Sequence, residues 1–132
     1  MREILFRGKR ADNGKRVIGG YYCEPYSDKT YILQWNSTGM GFMEQIEVIP
    51  KTVGEYSGFH DFNGIRIFEG DYIEYECGDS CDFHATVKYG LYNKNFTKGF
   101  YLDWDEDESL RPDLGFWARE RKIRVIGSAH DD

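Results

Sequence analysis

Between Val53 and Glu76 a turn-forming residue recurs every few positions, and this punctuation leaves room only for short extended segments. Asp61-Phe62-Asn63-Gly64 is the strongest of these signals, because Asn tolerates and Gly accepts the positive φ of a tight reversal. Gly70-Asp71 makes a second break. Ile65 and Ile67, then Tyr72, Ile73 and Tyr75, fill the runs between the breaks in the alternation of half-buried strands.

The same pattern continues on both sides. Residues 2–7 read as a first strand, and Asp12-Asn13-Gly14-Lys15 reads as a hairpin turn returning through Val17-Ile18 and Tyr21-Tyr22-Cys23. Gly19-Gly20 inside that return strand predicts a bulge or sharp bend. Thr30–Trp35 and Gln45–Ile49 read as strands, the second stopped by Pro50, while Gly39–Met43 reads as a loop whose methionines serve as core filler. Farther on, Asp71–Glu76 and Phe83–Tyr89 are expected to pair antiparallel, followed by strands at Gly99–Trp104 and Ile123–Gly127, with one helical turn near Phe116–Arg119.

Composition agrees with a sheet protein. Aromatic residues make up 17% of the 132 residues, with ten Tyr and nine Phe, and no stretch has helical or heptad periodicity. That length suits one domain, or two small β lobes at 1–50 and 51–132. With a mean hydropathy of −0.66 and no apolar run near the roughly 20 residues a membrane helix requires, no helical span is expected. The N-terminus lacks the apolar centre of a signal peptide, so a cytoplasmic protein is expected, with Cys23, Cys77 and Cys81 as reduced thiols.

Net charge is −6, yet six of the first sixteen residues are basic and two acidic. General affinity for nucleic-acid backbone is therefore disfavoured. A local basic hairpin of Arg7, Lys9, Arg10, Lys15 and Arg16, joined by Arg119, Arg121, Lys122 and Arg124, keeps a nucleic-acid role as an alternative.

Candidate chemistry is sparse. Cys77, Cys81 and His84, with Asp79 and Asp82, are metal-ligand types, but zinc takes four tetrahedral ligands and the second couple is missing unless His60 and Asp61 supply it. A metal-dependent enzyme on these residues is the weakest alternative; no metal and no cofactor is expected. His60-Asp61 could orient an imidazole for acid–base work, but a turn begun by Asp61 accounts for the pair more simply. Asp103 and the Asp105–Glu108 cluster lack a calcium-loop pattern and read as solvated acid, and no glycine pattern of a nucleotide site occurs. Tyr21, Tyr22, Tyr26, Tyr31, Trp35, Tyr72, Tyr75 and Trp104 exceed what one small core holds, and the surplus points to an interaction surface.

Thr52-Val53-Gly54-Glu55-Tyr56-Ser57-Gly58-Phe59, then Asp61-Phe62-Asn63-Gly64, then Ile67-Phe68-Glu69-Gly70-Asp71-Tyr72-Ile73 resembles the signature of the YopX family of phage and prophage proteins. Arg2–Arg7 and Arg124–Ser128 match that family's ends. The resemblance implies a mainly β protein whose later half is a small barrel of the Src-homology-3-like type; an N-terminal subdomain of β-hairpin and strands is expected to precede it. It brings no catalytic residue with it. The expectation is a non-enzymatic accessory module that contacts a macromolecular partner, more readily protein than nucleic acid, through strand edges and aromatic surface. An unpaired strand edge also makes a homo-oligomer an expected form.

Overall fold

The computed structural model describes residues 4–35, 43–75, 83–92, 97–104 and 110–130; the side chains of Trp35 and Met43 lie outside the description. The protein is mainly β: the described residues form ten strands and one short α-helix, and the chain divides into two compact units, Met1–Tyr56 and Ser57–Asp132. The division falls inside a strand that both units use.

The first unit runs β1 (Phe6–Lys9), β2 (Arg16–Cys23), β3 (Thr30–Trp35) and β4 (Met43–Val48), then the opening residues of β5 (Gly54–His60). The strand order is β4-β3-β2-β1-β5, and every pairing is antiparallel. The expected turn at Asn13-Gly14 is present: the Asn13 side chain accepts from the Lys15 N–H at 2.9 Å, and the Gly14 N–H donates to the Arg10 carbonyl at 2.9 Å. β2 pairs with β1 through Arg16–Gly19 and with β3 through Gly20–Cys23.

No register shift interrupts either pairing, so the glycines there do not make the expected bulge. Gly19 instead permits a close approach. A Cβ at this position would stand 2.1 Å from the Leu33 carbonyl oxygen.

The end of β1 also meets β4, by the Arg10–Val48 bridge and the bonds from Ile49 N–H to the Lys9 carbonyl and from Ala11 N–H to the Glu47 carbonyl. The sheet is thereby curled, and its concave side holds Val17, Ile32, Ile46 and Val48, with Phe6 and Val53 packed against them. After Pro50–Thr52, a single 3-10 turn, the buried Thr52 hydroxyl accepts from the Lys9 N–H at 3.0 Å and donates to the Ile49 carbonyl at 2.6 Å.

In the second unit the remainder of β5 is followed by β6 (Arg66–Phe68), β7 (Asp71–Tyr75), β8 (Phe83–Tyr92), β9 (Thr97–Trp104), α1 (Leu114–Glu120) and β10 (Ile123–Ser128). Four of these form an antiparallel sheet in the order β10-β7-β8-β9, with a bulge between Val125 and Gly127. Alternation along β7, β8 and β9 sends Ile73, Ala85, Val87, Leu102 and Trp104 to one side, where Leu114 and Trp117 of α1 join them with Ile67 and Ile123. Each Val, Leu or Ile of this set taken from water contributes about 1.5–3 kcal/mol. Trp104 and Trp117 lie with ring centroids 4.8 Å apart, and both indole N–H groups donate to the Arg111 carbonyl, at 3.0 and 2.6 Å.

This sheet is not closed, which corrects the barrel implied for residues 51–132. Closure would need the outer sides of β9 and β10 to pair with strands. The outer side of β9 is met instead by the turn before α1, through the Tyr101–Asp113 bridge and the bond from Leu102 N–H to the Pro112 carbonyl. That of β10 is met by the turn between β5 and β6, through Phe62 N–H to the Ile123 carbonyl and Val125 N–H to the Asp61 carboxylate.

Candidate functional site

The residues with candidate chemistry do not converge. Cys77, Asp79, Cys81 and Asp82 lie outside the described residues. His84 is exposed on β8, across from Glu74 on β7. Among the described residues no three His, Cys, Asp or Glu side chains are grouped closely enough to hold a metal ion.

Asp61 is buried, and both its oxygens serve the backbone. Oδ1 accepts from the N–H groups of Asn63 and Ile65, each at 2.8 Å, and Oδ2 accepts from Val125 N–H at 3.0 Å. Gly64, at φ 81°, completes the reversal. This is the turn role that the sequence favours over catalysis, with His60 exposed at the end of β5. Asp71, fully buried, likewise accepts from the Phe68 N–H at 2.8 Å and closes the turn into β7. Asp103 is exposed and paired with Lys88, while Asp105–Glu108 lie outside the described residues.

The basic hairpin is not a free patch. Arg7 is buried, Lys9 is half-buried, and the Arg10 guanidinium takes Asp12 through two bonds of 3.0 Å. The hydrogen bond from Arg10, then its charge, holds the Asp12 carboxyl below its ordinary range, and the same pair raises the Arg10 guanidinium. Arg124 is similarly committed to Glu74, at 3.1 Å.

The aromatic surplus divides. Trp104, 7% exposed, belongs to the core rather than to a surface, and Tyr75 is half-buried with its ring 4.8 Å from that of Trp117. Tyr21 is exposed beside the Phe6 ring, and Tyr72 is exposed on β7. Tyr22 and Tyr31 differ from these in being side by side. They stand opposite each other on β2 and β3, at the register step next to Tyr21 and the fully buried Ile32, so they face away from the core. Their rings stack at 6.3 Å. Ile18 and Leu33, both half-buried, share that outer side, and Gln45 and Glu47 of β4 border it. Tyr26, 99% exposed, stands on the loop joining β2 to β3.

Two of these outer-face residues, Ile18 and Leu33, were not among the expected interaction residues. The signal available was the alternation itself: once Val17 and Ile32 are placed inside, their neighbours must lie outside. The side chain of Trp35, on the same strand, is outside the described residues.

A family model described as YopX protein matches residues 5–132, nearly the whole chain. The chain belongs to the YopX family. No curated protein sequence matches it. Among solved structures it is similar to protein EF1440 from Enterococcus faecalis, with a TM-score of 0.59 and 17% identity over 98% of this chain and 95% of that one. At that identity the likeness concerns the fold alone. It supports the arrangement of strands described above and brings no ligand or activity.

Proposed function

We propose that this YopX-family protein is a non-enzymatic binding module that receives a protein partner on the outer face of β2, β3 and β4. The observation that carries the reading is the stacked Tyr22–Tyr31 pair on the side of the sheet turned away from the core, extended by Leu33 and Ile18. Paired tyrosines offer large contact area at low entropic cost, and such residues anchor protein interfaces. Glu47, opposite Tyr31, gives this face a carboxylate border that suits a protein better than a phosphate backbone. The setting is part of the proposal: a phage- or prophage-encoded accessory protein acting in the cytoplasm, with self-association through a strand edge as its oligomeric form.

The test begins with a partner recovered from host extract on the tagged protein and identified by mass spectrometry, then purified for titration calorimetry. The double variant Tyr22→Ala, Tyr31→Ala is expected to bind it at least about 30-fold more weakly, the loss typical of two interface anchors. Unchanged affinity removes the outer face as the contact.

A further inference from the structure

A second surface lies wholly within the second unit. Where α1 ends, Phe62, Tyr75, Arg119, Arg121 and Lys122 line a shallow, open pocket of about 370 Å³, and Glu120 is its one acidic side chain among the described residues. Phe62 occupies the second position of the Asp61 turn, where its side chain cannot reach the core, and it is 60% exposed. Its N–H donates to the Ile123 carbonyl at 2.8 Å, so the turn is tied to the chain immediately after Lys122. The Lys122 ammonium stands 5.0 Å from the Phe62 ring centroid. Arg121 lies over the Phe116 ring at 5.3 Å. Among the described residues none of Arg119, Arg121 and Lys122 forms an ion pair.

The C-terminal dipole of a helix accounts for one nearby cation, not for three beside an exposed ring. The local charge also opposes that of the chain: residues 110–124 hold five basic side chains against two acidic, in a protein of net charge −6.

We propose that this pocket binds single-stranded nucleic acid, with one base stacked on Phe62 and the flanking phosphates held by Arg119, Arg121 and Lys122. Its volume is that of a site for one nucleotide-sized group, and its open rim lets a strand enter and leave. An exposed ring takes any base on a face, and cations that form no ion pair among the described residues, Arg121 being held only by the Glu120 carbonyl at 2.9 Å and the Phe116 ring, neutralise the backbone without reading sequence. A duplex keeps its base faces stacked and has nothing to offer Phe62. An acidic peptide would engage the cations and leave the ring unused.

Fluorescence anisotropy with a labelled oligothymidylate of roughly ten nucleotides tests this at low salt. The parent protein is expected to bind, and added salt to weaken it. Phe62→Ala is expected to bind about tenfold more weakly at an unchanged salt slope, the size of one lost stacking contact. Arg119→Gln, Arg121→Gln and Lys122→Gln together are expected to lower affinity further and to reduce the salt slope by about two. All four residues are exposed, and amide shifts of residues 60–64 and 118–123 during titration of the parent give a second readout that needs no variant. Failure of the parent to bind, equal binding by these variants, equal binding of a duplex of the same length, or stronger binding of a phosphotyrosine or polyglutamate peptide would each overturn the proposal. The Tyr22→Ala, Tyr31→Ala protein should bind the oligonucleotide as the parent does, which separates this site from the outer face of the first unit.

Discussion

Asp61 shows how a single buried carboxylate organises its surroundings. Three backbone N–H groups from two separate segments, the β5–β6 turn and β10, converge on its two oxygens. Removing an acceptor leaves its donors unsatisfied, at roughly 1–3 kcal/mol for a buried group. Asp61→Ala is therefore expected to destabilise the protein by about 2–4 kcal/mol in urea denaturation, and Asp61→Asn by less, because its amide oxygen still serves the turn. An Ala variant as stable as the parent would mean that water replaces the carboxylate. The turn itself was legible in Asp61-Phe62-Asn63-Gly64, since Asx capping and a glycine at positive φ are local properties. The third bond, to Val125, was not, because it joins residues 64 apart in sequence.

Asp12 gives a pH dependence whose sign is fixed. Its carboxyl is held below its ordinary range by the Arg10 hydrogen bond, so the pair's contribution is fully present above the unfolded-state value and is lost as pH falls through the depressed folded value. Both side chains are at the surface, so the effect on stability is slight. A carboxyl-detected NMR titration should find Asp12 titrating low in the parent and at the ordinary value in Arg10→Ala; identical midpoints would mean that the ion pair does not persist in solution.

At the scale of elements, β2 is the most demanding strand, because it serves β1 with its first half and β3 with its second. The change of partner falls at Gly19-Gly20, and only the first of these glycines is sterically required. A Cβ at Gly19 would lie 2.1 Å from a main-chain oxygen, whereas at Gly20 its nearest neighbour would be 3.8 Å away. Gly19→Ala is expected to cost at least about 2 kcal/mol, and Gly20→Ala less than about 1 kcal/mol. Equal melting temperatures for the two variants would contradict the close approach. The sequence marked both glycines as special but could not tell a bulge from a contact with a strand that begins ten residues later. Alternation, in contrast, was fully readable in β9: with Leu102 inside and Asp103 outside, Trp104 belongs to the core, although its aromatic character alone suggested a surface. In β10 Ile126 is exposed by plain alternation with Ile123 inside and Arg124 outside, and the bulge after Val125 shows instead in Ser128, which is buried where unbroken alternation would turn it outward. Bulges of this kind leave no dependable trace in composition.

For the whole molecule, the two units differ in what holds them. Among the described residues the core cluster of the first unit has four buried side chains and that of the second nine, with two indoles bonded to one carbonyl. Local stability follows the density of buried apolar contacts. Amide exchange is therefore expected to be faster in β2–β4 than in β7–β9. Within β5, Gly54 and Glu55, which pair with β1, should exchange with the first group, and the residues after Ser57 with the second. Uniform protection across both units would show that they open together. The mainly β character, the β1–β2 hairpin and the β7–β8 pairing were legible because reversals and alternation are short-range, whereas the β1–β5 and β10–β7 pairings join distant segments and were not. The failure of the sheet to close was not, since it depends on which loop reaches the outer side of β9 and of β10.

The joint seat of Trp104 and Trp117 on the Arg111 carbonyl makes the protein its own gauge. Two indoles held 4.8 Å apart at 58° couple their excited states, so the near-ultraviolet dichroism and emission of this chain carry a signature of α1 seated against β9. Any ligand, variant or solvent that lifts that one short helix will announce itself in the spectrum without a label.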